Sequence, residues 1–148
     1  MKLIIFTGNI GCGKSTKASE LAKEGYVIVN MDDIVSMIGG GDYTLYDDKK
    51  KNIYHHMELS TIASALSNGF SVVVDRTNMP IKTRKRFIEI GKAYNAEIIS
   101  YDWGIGKKED LNRRNKEHRG IEKKQWEGYL KNLKRRTLIE NCTHKYIF

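Results

Sequence analysis

Gly8-Asn9-Ile10-Gly11-Cys12-Gly13-Lys14-Ser15 decides the fold of this chain. The run satisfies the pattern G-x-x-x-x-G-K-[S/T] at every fixed position. Leu3-Ile4-Ile5-Phe6 before it reads as a buried strand, and Ser15 to Lys23 after it reads as a helix. Strand, glycine-rich turn and helix N-terminus, in that order, aim backbone N–H groups and a helix dipole at one point. The triphosphate tail of ATP or GTP is the natural occupant. Gly8, Asn9, Ile10, Gly11, Cys12 and Gly13 supply the cradle, and Thr16 is counted with them among the residues that bind the nucleotide. Lys14 is placed to reach the β- and γ-phosphates, and the Ser15 hydroxyl to hold Mg²⁺.

Outward from the loop, short apolar runs alternate with helical stripes. Tyr26-Val27-Ile28-Val29, Val72-Val73-Val74 and Ile98-Ile99 read as further strands, with Lys145-Tyr146-Ile147-Phe148 as a fifth. Near-continuous β-branched runs suit a parallel sheet covered on both faces. Leu59, Ile62, Ala63 and Leu66 form one helical stripe, Phe87, Ile90, Gly91 and Tyr94 a second, and Trp126, Tyr129, Leu130 and Leu133 a third. Pro80 suits the first turn of the helix after the third strand. The expected architecture is a three-layer α/β domain, a P-loop kinase fold with a central parallel sheet of about five strands. Gly39-Gly40-Gly41-Asp42 is read as a loop before the long helix that ends near Asn68.

With 148 residues the chain is read as a single domain, and no apolar run reaches the length of a membrane span. No charged-then-apolar leader opens it, so a soluble cytoplasmic protein is expected. Cys12 and Cys142 give neither a metal-spaced pair nor a disulfide framework. Cys12 reads as a small residue that fits the loop. The four histidines have neither metal nor triad spacing. Tyr43, Tyr46, Trp103 and Trp126 read as packing residues, with Tyr43 and Tyr46 the best candidates for stacking.

The net charge of +8 is unevenly placed. Residues 106–148 hold 13 basic and 6 acidic side chains, a net +7, against +1 for residues 1–105. Such a field beside a nucleotide site points to a polyanionic second ligand, or else to a solvated lysine-rich surface. Residues 106–120 are helix-permissive but polar nearly all round, which reads as a lid or an exposed helix. Arg113, Arg114 and Arg119 lie in this stretch, and guanidinium forks match phosphate oxygens.

Two acidic positions follow strands. Asn30-Met31-Asp32-Asp33 comes after the second, at the carboxyl edge where ligands of parallel sheets gather. A carboxylate there can take the proton of an attacking hydroxyl, while its neighbour holds Mg²⁺ through water or caps the next helix. Asp75 ends the third strand, in Val72-Val73-Val74-Asp75-Arg76-Thr77-Asn78. It suits a Mg²⁺ helper, an orienter of Ser15 or a partner for a lid arginine, and the residues do not choose.

Taken together, these motifs resemble the kinase domain of the phage polynucleotide 5′-kinase family. The shared features are Gly13-Lys14-Ser15-Thr16, Asn30-x-Asp32-Asp33, a strand leading to Thr77-Asn78, and Arg114-Asn115 leading to Arg119-Gly120. Residues 43–66, with Lys49-Lys50-Lys51, also look like the family's middle segment. The resemblance implies transfer of the ATP γ-phosphate, with Mg²⁺, to the 5′-hydroxyl end of single-stranded or duplex DNA or RNA. By the same resemblance Asp32 is the general base, Lys14 acts on the transferring phosphate, and Arg119 is the lid arginine stabilising the transition state. Arg114 falls with the nucleotide, and Asp33, Thr77, Asn78 and Arg84 with the acceptor.

The chain also departs from that family. Val35 stands where an arginine is expected three residues after the base, and Arg76 where the phage enzyme has an acid. The interval from Arg114 to Arg119 is one residue longer. No Asp-x-Asp-Gly-Thr phosphatase motif occurs, so the expectation is a kinase without that second domain. Rival readings are a small-molecule kinase acting on a sugar, nucleoside or antibiotic hydroxyl, and an ATP-dependent nucleic-acid-binding switch without an acceptor. Homo-oligomer formation is left open.

Overall fold

The computed structural model describes residues 1–8, 11–78 and 80–103, then Glu109, Asn112, Arg113 and Lys116, and the backbone of residues 143–146. The elements run β1 (Lys2–Thr7), α1 (Lys14–Lys23), β2 (Val27–Asn30), α2 (Met31–Ile38), α3 (Lys51–Ser67), β3 (Val72–Asp75), α4 (Ile81–Ala93), β4 (Glu97–Asp102) and β5 (Thr143–Tyr146). Single 3₁₀ turns at Tyr43–Leu45 and Asp48–Lys50 join α2 to α3. The five strands form one parallel sheet in the order β2-β3-β1-β4-β5.

Strand periodicity divides the core. Leu3, Ile5, Val72 and Val74 face α2, α3 and α4, packing with Ile34, Tyr54, Ile62, Leu66 and Phe87. Ile4, Phe6, Val73 and Ile99 face the other way and meet Ala18 and Leu21 of α1. That alternation, with both faces apolar, makes the three layers. Phe6 is wholly buried, and its truncation to alanine would cost about 3–5 kcal/mol.

Connectivity then locates the crevice. From β1 the chain steps past β3 to β2, with α1 on one face. From β3 it steps past β1 to β4, with α4 on the opposite face. Adjacent strands whose helices leave on opposite faces open a gap at their carboxyl ends. Here those strands are β1 and β3, and Gly8 N–H donates to the Thr77 carbonyl across the gap at 3.1 Å.

Three details differ from the sequence reading. The buried stripe of α3 is Tyr54, Glu58, Ile62 and Leu66, because an ion pair lets a glutamate occupy a core position. Pro80 sits one place earlier than expected, as the N-cap of α4. The fifth strand is Thr143–Tyr146, displaced toward the N-terminus. The Trp126 stripe lies outside the described residues. Among the described residues, no helix is long and apolar enough to cross a membrane.

Candidate active site

The phosphate loop is shaped by its glycines. Gly11 and Gly13 hold φ of 79° and 104°, the left-handed region that a side chain resists. A Cβ on Gly8 would stand 2.8 Å from Cys12 Sγ and 3.1 Å from Trp103 Cβ, so any side chain there would have to push Cys12 and Trp103 aside. Cys12 is the small residue that this packing needs. Gly13 is the N-cap of α1, with no side-chain cap and no acid in the first turn. The start of α1 thus carries neither a side-chain cap from Gly13 nor an acid of its own, which suits an anion site.

Lys14 is buried at 9% exposure, and its Nζ donates to the Gly8 carbonyl at 3.1 Å. The bond folds the side chain back over the loop, where the ammonium faces an incoming phosphate tail. Ser15 is exposed, and among the described residues its hydroxyl makes no hydrogen bond. An uncapped helix start, a folded-back lysine and an unengaged serine hydroxyl fit a triphosphate with Mg²⁺. The ion typically takes one or two protein oxygens, phosphate oxygens and waters, and needs no all-protein cage. Asn9 and Ile10 lie outside the described residues.

The second helix start is built differently. Asn30 caps α2: its Oδ1 accepts from Asp32 N–H at 2.8 Å and from Asp33 N–H at 3.4 Å. Neither aspartate is the cap, contrary to the role sequence had offered one of them. Both carboxylates are exposed and, among the described residues, accept no hydrogen bond or ion pair. They occupy the first turn, where the helix dipole favours negative charge.

Asn30 also joins α2 to the sheet. Its Nδ2 donates to Asp75 Oδ2 at 3.1 Å, across the register pair Asn30 and Asp75. Burial pushes the Asp75 carboxyl above its ordinary range, and the charges of Asp33 and Asp32 act in the same direction. The Asn30 hydrogen bond and the Lys14 ammonium oppose them. Those couplings gather Lys14, Asp75, Asp32 and Asp33 around one crevice. Among the described residues Asp75 has no hydrogen bond to Ser15, so it orients Asn30 instead.

The residues after β3 are mostly braces. Asn78 is 2% exposed at φ 46°, and its Nδ2 donates to the Phe6 carbonyl at 2.8 Å. Arg84, 1% exposed, donates from Nη1 to the Asn78 carbonyl at 2.8 Å and so holds the same turn. Thr77 is half-buried beside them, its carbonyl tied to Gly8.

Arg76, which sequence left without a role, is paired through Nη1 with both oxygens of Glu58, at 2.9 and 3.1 Å. Glu58 is fully buried, and burial raises its carboxyl above the usual range against the pull of Arg76 and Arg86. Tyr43 and Tyr46, read as packing residues, are 63% and 49% exposed, so neither belongs to the core. Arg113 is exposed and helical, whereas Arg114 and Arg119 lie outside the described residues.

Fold and crevice together define a P-loop nucleotide-binding domain of the kinase-like kind. The chain belongs to the AAA domain family AAA_33, whose model matches residues 3–136. No curated protein matches it in sequence. Among solved structures, a chain of the Pnkp1/Rnl/Hen1 RNA repair complex is 24% identical with a TM-score of 0.74, over 90% of this chain and 44% of that one. A second Pnkp1/Rnl/Hen1 complex gives 27% identity and a TM-score of 0.67, over 76% of this chain and 38% of that one. The chain thus spans less than half the length of either. A gluconokinase from Sinorhizobium meliloti 1021 is 18% identical with a TM-score of 0.57, over 97% of this chain and 81% of that one.

Proposed function

We propose that this domain is an ATP-dependent kinase that phosphorylates the 5′-hydroxyl end of DNA or RNA. The observation that carries the reading is the Asn30 cap, which leaves the Asp32 and Asp33 carboxylates exposed beside the phosphate loop. A switch that merely bound nucleotide would have no use for a base there. Asp32 takes the proton as the acceptor oxygen bonds to the γ-phosphorus, the bond to the β-phosphate oxygen breaks, and ADP leaves. Lys14 stabilises charge on the phosphate oxygens, and Arg119, with Arg114, completes the cationic surround. Ser15 would hold Mg²⁺, which supplies further neutralisation of the phosphates. Likeness to chains of an RNA repair complex supports a polynucleotide acceptor, and so do the Asn30-x-Asp32-Asp33 and Thr77-Asn78 runs.

A small-molecule acceptor is the second reading, favoured by the gluconokinase likeness over 97% of this chain. One assay separates them: γ-labelled ATP offered with a 5′-hydroxyl oligonucleotide and, separately, with a panel of sugars, nucleosides and other alcohols. Label is expected on the oligonucleotide. Label on a sugar or nucleoside at equal efficiency overturns the polynucleotide acceptor.

A further inference from the structure

Between residues 76 and 86 the chain places five basic side chains and no acidic one: Arg76, Lys82, Arg84, Lys85 and Arg86. Arg84 turns inward with Phe87, Ile88 and Gly91 on the core face of α4. Lys82, Lys85 and Arg86 stand at i, i+3 and i+4 on another face. They line a surface hollow of about 370 Å³ with Ile81 and Glu89. Glu89, four residues after Lys85 and three after Arg86, offsets one of the three cations, and the remaining positive charge of this face favours an anion laid along it.

Both arginines are held in place. Arg76 Nη1 is fixed by Glu58, and among the described residues its Nη2 and Nε make no hydrogen bond. Arg86 Nη1 lies 3.1 Å from His55 Nδ1. Burial lowers the His55 pKa, and Arg86, Arg76 and Lys51 lower it further, so the neutral ring accepts from Arg86 and these cations share one neighbourhood. A guanidinium already fixed loses less freedom when it grips a phosphate.

Position gives the row its direction. Arg76 follows Asp75, which is bonded to Asn30, whose cap frames Asp32. Val35, where an acceptor-binding arginine was expected, is 3% exposed and packs in the core. With Lys14 committed to the phosphate loop, the end of β3 and α4 supply the cations that can take the acceptor's phosphates.

We infer that Arg76, Arg86, Lys85 and Lys82 form a track for the sugar–phosphate backbone of the acceptor strand, leading from Asp32 along the outer face of α4. The inference rests on the polynucleotide reading, but its test does not depend on transfer. The Kd of a 3′-fluorescein, 5′-hydroxyl single-stranded oligonucleotide is measured by anisotropy over a range of salt. The proteins compared are wild type, Lys82→Glu/Lys85→Glu, and the charge-matched control Lys2→Glu/Lys23→Glu. Lys2 opens β1 and Lys23 lies in the last turn of α1, both off α4 and at the amino edge of the sheet.

The track variant should bind at least about tenfold more weakly, and its salt slope should be shallower by about 1.4, for two phosphates on a single strand. The control should stay within about twofold of wild type. Equal binding by track variant and control overturns the track, as does failure of wild type to bind. Labelled-phosphate transfer is scored separately. Oligonucleotide bound along the track but never phosphorylated sinks the kinase reading alone; oligonucleotide phosphorylated with binding unchanged in the track variant sinks the track alone.

Discussion

Helices α1 and α2 both begin at the carboxyl edge of the sheet, yet their first turns are opposites. The start of α1 has a left-handed glycine for its cap, no side-chain acceptor and no acid. The start of α2 has an asparagine that bonds two N–H groups and two aspartates in its first turn. One start needs negative charge from a ligand, and the other carries its own. On the proposed reading, the donor half is thus made of backbone, and the acceptor half of side chains.

The sharpest way to break that contrast is to neutralise the acceptor half. Asp32→Asn should lower kcat by about 10²–10⁴ in the labelled-phosphate assay while ATP affinity, measured by titration, stays unchanged. If Asp33→Asn is the inactive variant and Asp32→Asn is not, the two carboxylates exchange roles. On the donor side, Lys14→Ala should lower transfer by about 10²–10³, and it should weaken ATP binding as well. Full turnover in that variant at saturating ATP removes Lys14 from the reaction.

Asn30→Ala tests the joint between the halves. Loss of the cap should cost about 1 kcal/mol in denaturant unfolding. The kcat should also fall, because Asp32 loses its fixed backbone and Asp75 its hydrogen bond. A stability loss with kcat intact would make Asn30 a cap and nothing more.

The smallest effect concerns Glu58. Its folded-state pKa is raised, so the native state holds the proton more tightly than the unfolded chain does. Its contribution to stability therefore rises as pH falls through the raised value toward the ordinary carboxylate range. The Tm of wild type relative to Glu58→Gln should increase on acidification across that window. A flat difference would remove the linkage.

Sequence disclosed the donor half because a backbone site demands glycine at fixed places, and glycine spacing is visible without a fold. Strand cores were equally plain, since β-branched runs have few other uses in a short domain. The acceptor half was only partly legible. Asp32 and Asp33 stood out, but the cap fell to Asn30, since it depends on which residue first turns helical. Arg76 with Glu58, and Arg86 with His55, join residues 18 and 31 positions apart, a pairing no local pattern encodes. Arg84, read with the acceptor, turns out buried against the Asn78 carbonyl, and a buried arginine and a surface one are spelled alike.

Trp103 leaves β4 with its N–H on the Thr7 carbonyl at 3.0 Å and its ring edge-on to Phe6, 4.7 Å between centroids. Its indole nitrogen lies 3.8 Å from where a Cβ on Gly13 would stand. The chain has one other tryptophan, Trp126. Replacing it with phenylalanine would leave a single intrinsic fluorophore against the phosphate loop. Emission from that indole should shift when the loop fills, so nucleotide arrival can be followed in real time on unlabelled protein, before any phosphate moves.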